Sequence, residues 1–393
     1  MKVIVIGAGV GGVACALALT AAGHEVEVYE QGESLRATGN GMILWPNGTG
    51  ILRELGVSLD GLGFPMGSID SRTDDGFPLA RIDVRGLSER YGAPTLLVAR
   101  GRLLARMAAL LPAGQVGYGR RCVAIETREG AGLAVTVTFA DGGTASADAL
   151  IGADGHRSLV RRVLFGQEPA AYTGWASWHG LTKAPAELVA GDGVRSFFAN
   201  GGVCGLHPVG DGYLHWVFET PWADGESVPG GGRSDAKVER LRALFGSWAD
   251  PVPRLLESIE ESDVSLFPHI IHKVPEGGGG GPVTLAGDAA HALPPRAAMG
   301  VNQALEDAWV LGRVLTTGRP AADALRAYEQ VRRPRLDRLA ARARRLEGMN
   351  ASPAIRFLIW MARKGVVSPA GTGQLAVARS SNYLNNDTPE VRR

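Results

Sequence analysis

The first apolar run of the chain, Val3 to Gly23, carries no charged side chain and divides by residue type. Val3-Ile4-Val5-Ile6 is a β-branched stretch, the mark of a short buried strand. Gly7, Gly9, Gly11 and Gly12 crowd the next positions, small apolar residues from Val13 to Ala22 follow as a helix, and Gly23 closes it. Glu25-Val26-Glu27-Val28-Tyr29 alternates polar and apolar positions as a half-buried strand and ends at Glu30. The pattern predicts strand, glycine turn, helix and strand within thirty residues, a βαβ unit. By length alone the run would suit a signal peptide or a membrane span. Against that, Lys2 alone is a thin basic region, and four glycines sit where an apolar helix needs Leu or Ala.

Gly7-Ala8-Gly9-Val10-Gly11-Gly12 fits GxGxxG. One glycine makes the turn, one admits a pyrophosphate to the backbone, and one lets helix pack on strand, so phosphate rests on the helix amino end. Glu30, eighteen positions after Gly12, is placed to accept hydrogen bonds from an adenosine ribose. A nicotinamide dehydrogenase would continue with alternating strands and helices, whereas here Arg36, Gly39-Asn40-Gly41 and Trp45-Pro46-Asn47-Gly48 follow. Two more buried strands run into turns that carry an acid: Ala149–Arg161 with Asp154-Gly155, and Val283–Ala308 with Gly287-Asp288, Pro294-Pro295 and Gly300-Val301-Asn302. An acid in such a turn holds sugar or ribityl hydroxyls, while the next helix directs its amino end at a phosphate or an electron-rich ring.

Composition narrows the class. With 393 residues, 45% hydrophobic and 21% charged, the chain exceeds one hydrophobic core, and two joined domains are expected. A mean hydropathy of +0.02 excludes a multi-span membrane protein. Lys+Arg of 41 against Asp+Glu of 40 leaves +1, so no global field recruits nucleic acid or anionic lipid. Cys15, Cys122 and Cys204 show neither metal-ligand spacing nor an even disulfide count, which fits a reducing cytoplasm.

With its three ordered motifs, over most of residues 1–345, the chain resembles the class A single-component FAD-dependent aromatic hydroxylases, with the fold of para-hydroxybenzoate hydroxylase. The resemblance implies an α/β fold: a Rossmann-type FAD-binding domain in three parts (1–70, 98–171, 275–320), an inserted, mainly antiparallel substrate domain in two (71–97, 172–274), and a helical region (321–393). It implies non-covalent FAD, held by Gly7, Gly9, Val10, Gly11, Gly12, Glu30, Gln31, Arg36, Arg100, Asp154, Gly155, Gly287, Asp288, Pro295, Gly300, Val301 and Asn302. Among these, Glu30 holds the ribose, Asp288 the ribityl chain, and Arg100 lies near the phosphates; Arg36 is equally readable as solvated. The resemblance further implies that NADH or NADPH reduces the flavin transiently, in keeping with the single GxGxxG, and that O2 then adds at C4a to give a hydroperoxide that hydroxylates, or epoxidises, an aromatic or alkene small molecule in catabolism or specialised metabolism. A monomer or homodimer is implied, without nucleic acid or integral membrane association. One departure is Ala298-Met299-Gly300 where relatives have Gly-Gln-Gly, which restricts φ beside the ring. Arg296 reads first as a solvent-facing loop charge and second as an anchor for an anionic group. The alternatives are an FAD-dependent reductase of isoprenoid alkenes and a flavin-binding protein without catalysis.

From about Tyr172 to Val274 short strands rich in aromatics predict an antiparallel sheet over the flavin. Along Tyr213–Phe218, Leu214, Trp216 and Phe218 share one face, which reads as packing, and Tyr213, His215 and Val217 share the other. The latter face, with Val203, Gly205 and His207 of the preceding strand, is expected to line the pocket. The catalytic candidates are His215, His207, Tyr213 and Pro295. A histidine in such a layer is more often a structural partner than a base, yet its pKa suits deprotonating a phenol near neutrality. His215 is the favoured base. Residues 322–347 have helical periodicity that Pro334 kinks or interrupts. The arginines from Arg332 to Arg345 read as a solvated face, since no aromatic is interleaved to stack on bases. Phe357-Leu358-Ile359-Trp360-Met361 is expected to cap the pocket or bury against the body, with a partner surface as the lesser reading.

Overall fold

The computed structural model describes residues 1–35, 40–128, 134–166, 170–199, 201–223, 225–226, 236–274, 279, 281–315, 319–350 and 353–364. The expected βαβ unit forms as strand Lys2–Ile6, helix Val10–Ala21 and strand Glu25–Tyr29. These strands lie inside a five-stranded parallel sheet, ordered Val283–Leu285, Ala149–Gly152, Lys2–Ile6, Glu25–Tyr29, Val116–Gly117. Parallel strands covered on both faces need continuous apolar sequence, which Val3-Ile4-Val5-Ile6 and Ala149-Leu150-Ile151 supply. Helix Val10–Ala21 buries its small side chains against helix Gly300–Val314, an approach close enough that a Cβ on Gly312 would lie 3.1 Å from that of Ala18.

The second layer is a seven-stranded sheet, ordered Ser265–Ile271, Ala171–Lys183, Tyr213–Pro221, Gly202–Gly210, Gly193–Ala199, Ser68–Thr73, Pro78–Asp83. Its pairs are antiparallel except Gly193–Ala199 with Ser68–Thr73. On the packing face Leu214, Trp216 and Phe218 bury with Trp178, Leu206 and Phe197 under helices Ala236–Phe245 and Val252–Glu257. Full burial of each such side chain stabilises by about 1.5–3 kcal/mol. The odd-numbered residues therefore point the other way, toward a small sheet of Gly41–Leu44, Leu96–Ala99 and Phe64–Pro65.

Helix Ala321–Asn350 runs unbroken through Pro334, so that proline does not interrupt it. The solvated-face reading of its arginines fails for Arg332 and Arg335, both buried. On helix Pro353–Arg363 the rings of Phe357 and Trp360 stack on each other, 5.8 Å between centroids, and stay more than half exposed rather than burying against the body. Among the described residues, no helix is long and apolar enough to cross a membrane.

Candidate active site

The glycine turn is built as its sequence requires. Gly7 has φ +102, and a Cβ there would lie 2.5 Å from the Ala153 carbonyl oxygen; one on Gly12 would lie 1.8 Å from that of Gly7. Only hydrogen fits at either position. At Gly9 the space is open, and the nearest atom to a built Cβ is Nη2 of Arg100 at 3.8 Å. An open backbone cradle at a helix amino end beside a guanidinium suits a pyrophosphate. Glu30 closes the turn: its Oε2 accepts from the Ala8 N–H at 2.8 Å and its Oε1 from the Gly32 N–H at 2.9 Å. Gln31 is exposed beside it, and Arg36 lies outside the described residues.

Asp154 shapes the neighbouring turn. Its carboxylate accepts from the Ser158 hydroxyl and from the N–H groups of Leu159 at 2.7 Å and Val160 at 3.2 Å, capping helix Leu159–Phe165. Burial raises its pKa above the ordinary value against the pull of those hydrogen bonds. Gly155 follows with φ +78.

Opposite lies Asp288, exposed at the start of helix Asp288–His291, its Oδ1 3.8 Å from where a Cβ on Gly300 would be. A Cβ on Gly11 would lie 3.3 Å from that of Ala304, so the glycine turn, the Gly287-Asp288 turn and helix Gly300–Val314 converge. The first-turn amides of that helix, at Gly300, Val301 and Asn302, precede its first internal acceptors. The Asn302 side chain, a cofactor candidate, is fully buried and engaged elsewhere. It accepts from the Trp45 N–H at 2.9 Å and donates to the carbonyls of Ile43 at 2.9 Å and Ala298 at 3.1 Å, leaving only its backbone for a ligand. Ala298 adopts the left-handed conformation, φ 49, ψ 34, so the loop keeps a glycine-like turn despite its side chain. Pro295 opens that loop and is exposed.

Behind the loop is a buried ionic network that the motifs did not announce. Asp307 accepts from His291 at 2.6 Å, the Gly287 N–H at 2.8 Å and Arg332 Nε at 2.6 Å. Glu306 accepts from Arg332, Arg335 and Asn47 at 2.6–2.7 Å. Burial works to raise the Asp307 pKa, but the charges of His291 and Arg332 outweigh it and hold the carboxyl at about 2. The signal was present in Leu305-Glu306-Asp307-Ala308, two acids inside an apolar helix, facing arginines three residues apart in the next.

The face of the large sheet that meets strand Gly41–Leu44 carries two clusters. In the first, His215 and His207 oppose each other in register with Nδ1 atoms 3.2 Å apart, and the His179 ring lies 6.4 Å from that of His215. Asn40 contacts His179 Nε2 at 3.0 Å, and a Cβ on Gly41 would lie 2.4 Å from that of His215. Burial lowers all three pKa values, His179 and His207 to about 4, with neighbouring rings adding to the effect on His215. Tyr213 stands apart at the strand end, 40% exposed.

The second cluster corrects the reading of Arg296 as a solvent-facing charge. Its side chain is 9% exposed, paired to Glu219 at 2.5 Å and Glu347 at 3.4 Å. Glu347 also accepts from the Thr173 hydroxyl at 2.8 Å and contacts His269 Nδ1 at 3.2 Å. Burial would raise the Glu347 pKa, but His269, Arg296 and Thr173 hold it below the usual range. Glu219 shares the face of His215 by strand alternation, so part of this cluster was legible.

Residues 1–343 match the family model described as FAD binding domain. The chain is 33% identical to the FAD-dependent urate hydroxylase of Klebsiella pneumoniae subsp. pneumoniae, covering 88% of this chain and 89% of that one. It is 38% identical to the 3-amino-4-hydroxybenzoate 2-monooxygenase of Streptomyces cremeus, covering 88% and 86%. The crystal structure of Klebsiella pneumoniae HpxO complexed with FAD and uric acid superposes with a TM-score of 0.86 at 30% identity, over 97% of both chains.

Proposed function

Because this chain belongs to the FAD binding domain family and is a flavoprotein monooxygenase acting on aromatic or heteroaromatic compounds, we propose that its substrate is a small ring bearing an ionisable hydroxyl or N–H, deprotonated by His215. FAD supplies, when bound, the ring that NADH or NADPH reduces and at which O2 is activated. The Gly7–Gly12 turn with Val10 and Arg100 receives the pyrophosphate, Glu30 the ribose and Asp288 the ribityl hydroxyls. The amides of Gly300, Val301 and Asn302, beside Pro295, would donate to the flavin ring when it is bound. The histidine layer and the small sheet enclose the substrate and exclude water, which protects a reactive oxidant.

The observation that carries the reading is His215 Nε2: buried, with no hydrogen-bond partner among the described residues, on the sheet face whose Glu219 meets Arg296 of the Pro295 loop. In the tautomer that carries its hydrogen on Nδ1, a neutral His215 has its Nε2 free to accept a proton from a phenol. Names among the relatives are consistent with such a group, including urate and 3-amino-4-hydroxybenzoate, with 6-hydroxynicotinate a third. Hydroxylation is favoured over epoxidation because an alkene needs no base. The test is anaerobic mixing of the FAD-loaded protein with NADPH and then NADH, with and without phenols, N-heterocycles and indoles. Flavin reduction accelerated by one hydroxylated ring, followed by oxygen-18 incorporation in air, is the expected result. Reduction without incorporation would instead indicate a reductase.

A further inference from the structure

Two neutral imidazoles whose Nδ1 atoms lie 3.2 Å apart, as in His215 and His207, cannot both present lone pairs or both present N–H groups there. One donates and the other accepts, so the rings hold complementary tautomers. When His215 donates from Nδ1, its own Nε2 is a lone pair, and that is the buried atom without a partner. His207 then carries its hydrogen on Nε2, and unlike the buried His215 it is only half-buried. The His207 ring packs over Gly205, where a Cβ would lie 2.9 Å from its Nε2, so only glycine admits the ring there. Gly41 leaves no freedom to the His215 side chain, and Asn40 fixes His179 beside it.

We propose that His215 and His207 form a two-ring proton wire, His215 touching the substrate and His207 acting as a positioning residue and outlet to water. The wire rests on the proposed reading that the pocket takes a hydroxylated or N–H-bearing ring. In the outward step the substrate O–H breaks as an N–H forms at His215 Nε2. The His215 Nδ1–H breaks as an N–H forms at His207 Nδ1, and the His207 Nε2 proton leaves to water. Both rings end neutral with tautomers exchanged. After oxygen transfer the wire resets: water returns a proton to His207 Nε2, His207 passes its Nδ1 proton back, and His215 Nε2–H protonates the product oxygen. Burial keeps both rings uncharged near neutrality, so the proton passes through without being stored.

The FAD-loaded protein, labelled with nitrogen-15 in histidine and assigned with His207→Asn and His215→Asn, reads the tautomers without any substrate. One ring protonated at Nδ1 and its partner at Nε2 is expected; two rings protonated at Nε2 would overturn the wire. With 4-nitrophenol as probe, the flavin spectrum reports binding and the nitrophenolate band reports proton loss. His207→Asn is expected to bind with unchanged Kd but to slow proton loss by about tenfold or more. His207→Ala is expected to recover with added imidazole, which leaves the parent unaffected. Parent-like proton loss in both variants would end the proposal while leaving the pocket reading intact. If the probe does not perturb the flavin, the pocket reading fails and takes the substrate end of the wire with it, while the tautomer measurement still reports whether His215 and His207 pair as stated.

Discussion

The guanidinium of Arg296 lies 4.2 Å from the ring centroid of Trp175, so a charge on the Pro295 loop rests on an aromatic of the seven-stranded sheet. Past that ring it meets Glu219, and helix Ala321–Asn350 brings Glu347 to the same place. One cation therefore joins three parts of the fold, and its removal leaves two buried carboxylates together.

Arg296→Met should lower stability by about 3–5 kcal/mol, the range for breaking a buried pair and stranding its partner. Adding Glu219→Gln to that variant should restore part of the loss, because one of the two stranded charges is then gone and its repulsion with Glu347 is relieved. Urea unfolding of both FAD-loaded variants checks this. Equal losses in the single and the double variant would mean that packing on Trp175, not charge, is what Arg296 provides.

The two glycines of the first turn should fail differently. A methyl at position 12 meets a backbone oxygen at 1.8 Å, so Gly12→Ala should disrupt the helix–strand contact and yield little folded protein. At position 9 the methyl has room, and Gly9→Ala should fold normally yet bind FAD about tenfold or more weakly, since it intrudes on the phosphate approach. Asp288→Ala should likewise fold and lose FAD affinity. Fluorescence titration of the stripped proteins separates the cases, and parent-like affinity for Gly9→Ala would remove the phosphate assignment.

The contrast between those motifs and the Arg296 cluster shows what can be read along a chain. The βαβ unit, the acid-bearing turns and the two faces of Tyr213–Pro221 depend on neighbours in sequence, where spacing and alternation are visible. The ionic clusters depend on pairs such as Asp307–Arg332 and Glu219–Arg296, which meet only when helices and sheet stack. An arginine beside Pro295 looks the same in solvent or in a core until its distant partners are known. The Asn302 side chain likewise falls to Trp45 and Ile43 through folding of a segment about 260 positions away.

Ala298→Gly should stabilise the protein by about 1 kcal/mol, because an alanine held at φ 49 bears the left-handed penalty that glycine lacks. A rise of about 1 °C in Tm with unchanged FAD content is the expected outcome for a chain of this length. No rise would mean that glycine's added freedom in the unfolded chain offsets the relief.

Acid should unfold the protein earlier than its carboxylates alone would. His179 and His207 are held at about 4 against an ordinary 6.5, so between those values the unfolded chain binds protons that the folded chain refuses. Their contribution is complete above pH 6.5 and is lost as pH falls toward 4, with a slope of up to about 1.4 kcal/mol per pH unit for each ring. Asp307, held at about 2, works the same way but only below about pH 4, so it does not enter this window. His179→Gln should flatten the slope between pH 6.5 and 4.5 by one ring's share. Unfolding midpoints that stay level from pH 7 to 5 in the parent protein would mean that these histidines are charged, and with them the neutral layer required for a proton wire would go.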